Sequence, residues 1–395
     1  MSAHSNRGTE TALEISLPVA PVRPAAPDAF QIPSLDGIRA ASFMVVFLGH
    51  AGLGEIVPGY FGLTLFFFLS GYLITTLMRI EFDRTGTVRL RQFYLRRVLR
   101  IFPPFYLVLA IAWLLTTLGI FAEPRLTVQG MLSQTLHFTN YYIVAHGWWE
   151  GLARGTWVYW SLAVEEHFYL FFPLLYLLLR RRFSTGREQM FALLTICALV
   201  LVWRFVLVFE LEAPKDRTYV ATDTRIDSIL FGCILAVWSN PFLDSGAIDG
   251  RRLARQWLPL GVSVVLLSMV VRVHWFDQTL RYTLQGLGLI PFFMAAIRWH
   301  DCGPFRLMNL APVRYIGVVS YSLYLLHTVT LSTVNEWIPW STPVRGALAL
   351  ALSIAMATLI YHAVEKPCAR IRRRLSPSRS VVDSREARIS GAEAH

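Results

Sequence analysis

Long apolar stretches recur through most of the chain, and they constrain its fold more than any other feature. A hydrocarbon core of about 30 Å needs roughly 20 helical residues to cross, and in lipid the backbone must satisfy its own hydrogen bonds, which favours helices. About ten stretches approach that length: 36–56, 60–79, 100–121, 160–179, 189–209, 226–240, 256–273, 279–298, 315–335 and 343–363, of which 226–240 is the shortest. The sequence therefore predicts an all-α, polytopic membrane protein with about ten transmembrane helices.

The composition agrees with a lipid environment and excludes disorder or an ordinary soluble enzyme. Apolar residues make up 54% and charged residues 16% of the chain, and the mean hydropathy is +0.46. The net charge is +11, and because Lys215 and Lys366 are the only lysines, the excess is almost all arginine. These arginines lie between apolar runs, as membrane topology requires. They predict contact with a lipid bilayer and no nucleic-acid partner.

Four isolated cysteines give no sign of a metal centre. Cys197, Cys233, Cys302 and Cys368 have neither CxxC nor CxxxH spacing. Neither a zinc site nor a disulfide framework is predicted.

The arginines concentrate in alternate loops and so predict the topology. The rich loops are 79–100, 180–187, 251–255, 298–314 and 366–374. Cytoplasmic loops carry such an excess, and with an even number of spans both termini are cytoplasmic. We expect a disordered cytoplasmic tail over 1–33, a membrane domain over 34–367 and a basic, disordered cytoplasmic tail over 368–395. No internal repeat or appended soluble domain is visible.

The first apolar span carries three ionisable residues that are costly in a membrane. At about 100° per residue, Asp36, Arg39 and His50 share one helical face, with His50 about 21 Å beyond Asp36. A neutral histidine accepts a proton from a hydroxyl, as a general base does. The alternative is a histidine that is hydrogen bonded to a neighbouring helix. Glycines beside His50 allow another helix or molecule to approach.

A basic segment precedes the third span. Arg97 and Arg100 are three residues apart and therefore neighbours on a helix, at the point where the chain enters the membrane from the cytoplasm. Guanidinium groups suit phosphates. Simple cytoplasmic anchoring explains the same pattern.

Adjacent carboxylates lie about one turn inside the fourth span. Glu165 and Glu166 point to different sectors, so that one of them can face the interior of the bundle while the other faces a loop. A structural ion pair with an arginine is the alternative. In the ninth span, Ser320, Tyr324 and His327 share a face, which together with the carboxylates predicts a polar cavity.

The loop before the fourth span is rich in aromatic residues, and the predicted topology places it outside. These residues are Phe138, Tyr141, Tyr142, Trp148, Trp149, Trp157, Tyr159 and Trp160. Such rings form membrane-interface belts, but a ring face with a polar edge also suits a sugar. We expect Trp148, Trp149 and Trp160 to bind substrate, together with His327.

Six ordered motifs spread over residues 34–367 resemble the bacterial acyltransferase 3 family of integral-membrane O-acyltransferases. They are Ser34-Leu-Asp-Gly-Ile-Arg39-Ala running to Gly49-His50-Ala, Phe66-Phe-Phe-Leu-Ser-Gly71-Tyr-Leu-Ile-Thr, Phe93-Tyr-Leu-Arg-Arg97-Val-Leu-Arg100-Ile, Trp160-Ser-Leu-Ala-Val-Glu-Glu166, Arg225-Ile-Asp227-Ser-Ile-Leu-Phe-Gly232 and Tyr321-Ser-Leu-Tyr-Leu-Leu-His327. The chain departs from the pattern of many relatives at Val158, where they carry histidine, and at His167, where they carry glutamine.

The resemblance implies transfer of an acyl group, usually acetyl, from coenzyme A on the cytoplasmic side to a hydroxyl of a sugar or related acceptor. It implies catalytic roles for His50, Arg39 and one of Glu165 and Glu166, and a donor-binding role for Arg97 and Arg100. We add Asp36 to the predicted catalytic residues, because it shares a helical face with Arg39 and His50.

The sequence thus predicts an enzyme of the bacterial inner membrane that uses acyl-CoA as a co-substrate, holds no permanently bound cofactor or metal, and acylates a carbohydrate or glycosylated acceptor. Members with a fused periplasmic esterase-like domain are longer, so we expect a second polypeptide wherever transfer continues outside. A secondary transporter and an acyl-group channel are the alternatives.

Overall fold

The computed structural model describes residues 33–121, 126–244 and 248–374. These ranges are almost entirely helical and contain no β-strand, only an isolated backbone bridge between Leu126 and Gly151. The all-α prediction is confirmed. The expected tails fall largely outside the described residues, at 1–32 and 375–395, whereas residues 368–374 belong to a helix that begins at Lys366.

Eighteen α-helices follow one another along the described residues. They are α1 Pro33–Leu48, α2 Gly59–Thr85, α3 Leu90–Thr117, α4 Val128–Thr135, α5 Thr139–His146, α6 Trp160–Arg182, α7 Gly186–Phe205, α8 Lys215–Val220, α9 Thr222–Trp238, α10 Gly250–Arg252, α11 Leu258–Val270, α12 His274–Gln278, α13 Leu280–Arg298, α14 Phe305–Met308, α15 Ala311–Val318, α16 Ser320–Trp337, α17 Thr342–Ile360 and α18 Lys366–Arg374. π-helical turns extend four of them over Gly49–Leu53, Val206–Glu210, Leu253–Trp257 and Tyr361–Glu365, the third of these joining α10 to α11.

Seven helical segments of the described residues are long and apolar enough to cross a membrane, namely Gly59–Thr85, Leu90–Thr117, Trp157–Arg182, Gly186–Glu210, Gly250–Val270, Leu280–Arg298 and Thr342–Arg374. The helices α15 and α16 make an eighth if they count as one span bent by 75°. The first and sixth predicted spans correspond to α1 and α9, which have 16 and 17 residues. The multi-pass architecture is confirmed, and the count of ten stays a prediction.

Small residues bring the central helices α2 and α9 into backbone contact. A Cβ atom at Gly71 would collide with the carbonyl of Ile229, and one at Gly232 would collide with the carbonyl of Phe68. Close approach of this kind is how membrane helices gain packing energy without a hydrophobic driving force between them. It explains two of the glycines in the family-like motifs.

A buried ion pair joins α7 to α9. The Nη2 atom of Arg204 lies 2.6 Å from the Oδ2 atom of Asp227, and both side chains are fully buried. Thr283 on α13 also contacts both groups, accepting from Arg204 and donating to Asp227 over 3.1 Å. Arg204, which lies within the fifth predicted span, 189–209, is therefore structural.

An apolar core formed by α1, α3, α16 and α17 holds the histidine of α16 in place. It includes Phe43, Phe47, Phe105 and Leu323, all at most 2% exposed. The ring of Phe43 packs edge-on against His327, with ring centroids 5.8 Å apart. This packing leaves His327 little freedom to turn.

Candidate active site

His50 lies just beyond α1, in the π-helical turn Gly49–Leu53. The regular helix ends at Leu48, and Gly52 has the left-handed φ of 99°. The angular argument that placed His50 on the face of Asp36 assumed a continuous α-helix and does not hold beyond Leu48. The glycine prediction is supported, because a Cβ at Gly49 would lie 2.9 Å from the Cα of Gly59 at the start of α2.

A hydrogen-bonded chain connects His50 with α16. Nδ1 of His50 is 3.0 Å from Nε2 of His327, and Nδ1 of His327 is 2.7 Å from the carbonyl oxygen of Tyr324. A carbonyl only accepts, so Nδ1 of His327 carries the proton, and its neutral Nε2 accepts from His50. Assigned from this network, His50 keeps a lone pair on Nε2, where a general base needs it.

His50 also lines a small cavity of about 30 Å³. Its other walls are Val46, Gly59, Tyr60, Leu63, Trp157, Val158, Trp160, Tyr219 and Tyr324. Trp160, one of the residues that we expected to bind substrate, is 2% exposed and forms part of this wall. His327, another of them, is fully buried behind His50 and lies outside the lining. Its contacts are those of a residue that orients His50.

Basic side chains gather around the first half of α3, on the side that the predicted topology makes cytoplasmic. Asp36 and Arg39 form an ion pair over 2.8 Å, and Arg39 interacts electrostatically with Arg100. Arg97 and Arg372 also interact with Arg100. None of Arg97, Arg100 and Arg372 forms an ion pair with a carboxylate in the described part of the chain.

Glu165 links this basic cluster to the interior of the bundle. Its carboxylate accepts a hydrogen bond of 3.0 Å from the hydroxyl of Tyr169 and interacts with Arg39, Arg97 and Arg100. Because Tyr169 donates to Glu165, the hydroxyl of Ser70, 2.5 Å away, donates to Tyr169. Of the two adjacent carboxylates, Glu165 therefore faces the arginines most directly.

Glu166 points to a different neighbourhood. It interacts with Arg97 and Glu165, and with the tyrosines Tyr106 and Tyr321. Both carboxylates thus interact electrostatically with charged or polar groups of the bundle.

A larger cavity of about 390 Å³ lies at the loop before α6. Trp148 and Trp149 line it, as do Glu150 and Arg154. That the two tryptophans bind substrate stays a prediction. Trp157 borders both cavities. Its ring lies edge-on to His50 with centroids 4.9 Å apart, and it also contacts Trp148 and Trp149 at 5.7 and 5.5 Å.

Sequence reasoning missed several members of this site. Tyr169 is four residues after Glu165, a spacing that places both on one helical face and could have been noticed. Trp157 appeared only as one ring among many in an aromatic loop. Arg372 could not be found from sequence, since its place beside Arg100 depends on how α18 packs against α3.

The described residues contain no group of three or more His, Cys, Asp or Glu side chains that could hold a metal ion. The chemistry that the arrangement supports is proton transfer and polyanion binding. A histidine with a free lone pair lies beside a cavity, while unpaired guanidinium groups suit phosphates.

Comparisons with known proteins identify the family. A family model described as an acyltransferase domain matches residues 32–362. The O-acetyltransferase OatA of Staphylococcus aureus (strain NCTC 8325 / PS 47) is 29% identical over 85% of the chain and 57% of its own length. The peptidoglycan O-acetyltransferase OatA of Listeria monocytogenes is 26% identical over 85% and 55%, and the putative peptidoglycan O-acetyltransferase YrhL of Bacillus subtilis 28% over 85% and 54%.

The chain thus spans a little over half the length of the curated relatives that it matches. No solved structure matches it.

Proposed function

The chain belongs to the acyltransferase 3 family of membrane proteins, and from this premise we propose that it is an O-acyltransferase. It moves an acetyl group from acetyl-CoA, a co-substrate and not a bound cofactor, to a hydroxyl of a surface glycan. The relatives are named for peptidoglycan O-acetylation, which favours peptidoglycan or a related polysaccharide as the acceptor.

One observation carries the proposal. Hydrogen bonds that run from His50 through His327 to the carbonyl oxygen of Tyr324 fix the tautomer of His50. A histidine held in this way beside a cavity is equipped to take a proton from an attacking hydroxyl.

The donor binds, in this proposal, at the basic cluster of Arg39, Arg97, Arg100 and Arg372. Coenzyme A carries a diphosphate and a further phosphate, and planar guanidinium groups bind phosphate oxygens in pairs. The proposal also puts the protein in the bacterial inner membrane, with this end and both termini in the cytoplasm. The concentration of arginines in alternate loops supports that orientation.

The acceptor binds, in this proposal, at the larger cavity beside Trp148 and Trp149. Indole faces suit the C–H face of a sugar, and Trp157 connects this cavity to His50. The acceptor hydroxyl attacks the thioester carbon while Nε2 of His50 takes its proton. The carbon–sulfur bond then breaks, and the thiolate leaves and takes up a proton.

The experiment is acetyl transfer by the purified chain in lipid nanodiscs, with labelled acetyl-CoA and a soluble peptidoglycan disaccharide. His50→Ala should lower turnover about 10²–10⁴-fold, the usual worth of a general base. His362→Ala, a change at an exposed histidine of the π-helical turn before α18, is the matched control and should leave turnover unchanged.

Near-normal turnover by the His50→Ala protein would remove this mechanism. The relatives are longer than the chain, so a second outcome is also tested. If sealed vesicles pass the acetyl group across the bilayer without forming an ester, the chain is an acyl channel or transporter that serves a partner enzyme.

A further inference from the structure

Arg225, near the start of α9, is a buried guanidinium for which the mechanism above has no role. The residue is 0% exposed. Its Nη1 atom donates to the carbonyl oxygen of Tyr219 over 3.3 Å, while Nε and Nη2 have no hydrogen-bond partner among the described residues. A buried cation with unused donors is costly, so it requires an explanation.

The carboxylates nearest to Arg225 in sequence are engaged elsewhere. Asp227 pairs with Arg204, and Asp223 pairs with Arg217 over 2.5 Å. Residues two apart on a helix do not face each other, so neither carboxylate is placed to neutralise Arg225. Within the described ranges, no ion pair includes this guanidinium.

Four aromatic rings surround the guanidinium instead. Its Cζ atom lies 3.7 Å from the ring centroid of Tyr282, 5.5 Å from that of Tyr219, 5.6 Å from Phe67 and 5.9 Å from Trp160. The faces of aromatic rings attract a cation, but they offer no strong hydrogen-bond acceptor. The rings hold the charge in place, and Nε and Nη2 remain buried without a hydrogen-bond partner among the described residues.

Two rings of this cage, Tyr219 and Trp160, also line the cavity of His50. Its volume of about 30 Å³ has room for roughly two water-sized groups. A small acyl group fits such a space, whereas a sugar ring does not. When a hydroxyl attacks an acyl carbonyl, the carbonyl oxygen becomes an anion, and enzymes stabilise this oxygen with fixed donors.

We infer that Arg225 is the catalytic residue that binds this oxyanion, an inference that rests on the proposed function. The hydroxyl oxygen forms a bond to the thioester carbon as its proton passes to His50. The π electron pair of the carbonyl moves to its oxygen, which enters between Tyr219 and Trp160 and accepts from Nε and Nη2 of Arg225. When the carbonyl re-forms, the carbon–sulfur bond breaks, and the thiolate takes the proton held by His50.

The test compares Arg225→Met with Arg204→Met in nanodiscs. Replacing an unpaired buried charge by an apolar group of similar size should leave thermal stability unchanged or raised, whereas removing one partner of the buried pair of Arg204 and Asp227 should lower it. Arg225→Met should also lower kcat about 10²–10³-fold, the usual effect of deleting an oxyanion donor. The KM values for acetyl-CoA and for the disaccharide should change little, and Arg225→Lys should recover only part of the rate.

Hydrolysis of acetyl-CoA by the same proteins shows whether Arg225 binds the oxyanion of the reaction or a carboxylate of the acceptor. Water attack forms the same oxyanion, so hydrolysis should fall in parallel with transfer. If instead Arg225 binds a carboxylate of the acceptor, hydrolysis stays normal and only the KM for the disaccharide rises, which overturns the inference.

Loss of folded protein in Arg225→Met as well as in Arg204→Met would make Arg225 structural and would also overturn it. Unchanged kcat in a stable Arg225→Met protein would do the same. In each case the proposed function survives if His50→Ala remains inactive.

Discussion

A carbonyl oxygen determines the protonation pattern of the candidate catalytic histidine. Because the carbonyl of Tyr324 must accept, His327 must donate to it and accept from His50. The arrangement resembles the way a buried acceptor orients the histidine of a catalytic triad, with a neutral imidazole in the orienting position. His327, which we expected to bind substrate, is placed to position His50.

We therefore predict different outcomes for two substitutions of His327. His327→Leu removes the acceptor for Nδ1 of His50 and should lower kcat, at most by the 10²–10⁴-fold that a general base contributes. His327→Gln supplies a carbonyl oxygen and should recover much of the rate. Turnover and its pH profile are the measurements, and a Gln protein as slow as the Leu protein would refute the positioning role.

At the scale of elements, α18 changes the interpretation of the C-terminal arginines. The sequence explained them by topology alone, but the helix packs against α3 and brings Arg372 to Arg100. Helices α1, α3 and α18 thus contribute to one basic cluster. Unpaired like charges repel each other, so a polyanionic ligand would relieve the repulsion.

Substitutions in this cluster should weaken donor use through the phosphates. Arg97→Ala, Arg100→Ala and Arg372→Gln should each raise the KM for acetyl-CoA about 10- to 100-fold, from roughly 1.5–3 kcal/mol for a charged hydrogen bond. Lys at Arg97 or Arg100 should rescue only partly. The KM for acetyl-pantetheine, which lacks the nucleotide phosphates, should change little.

Arg374→Gln is the control, because this arginine lies on the same helix α18 and is exposed. If the KM values for acetyl-CoA and for acetyl-pantetheine rise equally in all variants, the arginines serve topology and not phosphate binding.

The loop before α6 is the element that we expect to select the acceptor. Trp148→Ala or Trp149→Ala should raise the acceptor KM about 2- to 10-fold, from roughly 0.5–1.5 kcal/mol for an aromatic contact, and leave acetyl-CoA affinity intact. Trp340→Ala, at another exposed tryptophan, is the control. Unchanged transfer in both loop variants would assign these rings to an interfacial belt, and parallel loss of donor affinity would indicate misfolding.

At the scale of the whole molecule, the two cavities and the basic cluster define a direction through the bundle. The basic cluster lies along the first half of α3, around Arg97 and Arg100, and the large cavity lies at the loop before α6. Glu165 and Tyr169 lie on the arginine side, and Trp157 borders both cavities. A donor on one side and an acceptor on the other fit this layout.

Reporter fusions test the direction. Fusions after Arg187 and after Arg374 should report a cytoplasmic position and one near Gly147 a periplasmic position, since arginine-rich loops resist translocation. A periplasmic report at Arg374 would mean an odd number of spans. The 17-residue α9 would then be the first predicted span to reconsider.

The sequence by itself determined the helical class and the approximate positions of most spans, and it named His50, Arg97, Arg100 and the pair Glu165 and Glu166 as candidate site residues. Hydropathy and charge are properties of neighbouring residues, so a membrane-length pattern is visible without knowing what packs against it. The family motifs pointed to individual residues, because each motif is a short run of neighbouring residues that can be read directly from the sequence.

Only the tertiary structure decided which of these residues meet. His50 and His327 are 277 positions apart, and no local pattern encodes a hydrogen bond over that separation. The unpaired state of Arg225 likewise depends on which side chains the other helices present. Contacts between distant segments are fixed by packing in three dimensions, and for this reason the tautomer of His50, the place of Arg372 and the aromatic cage of Arg225 could be obtained only from the fold.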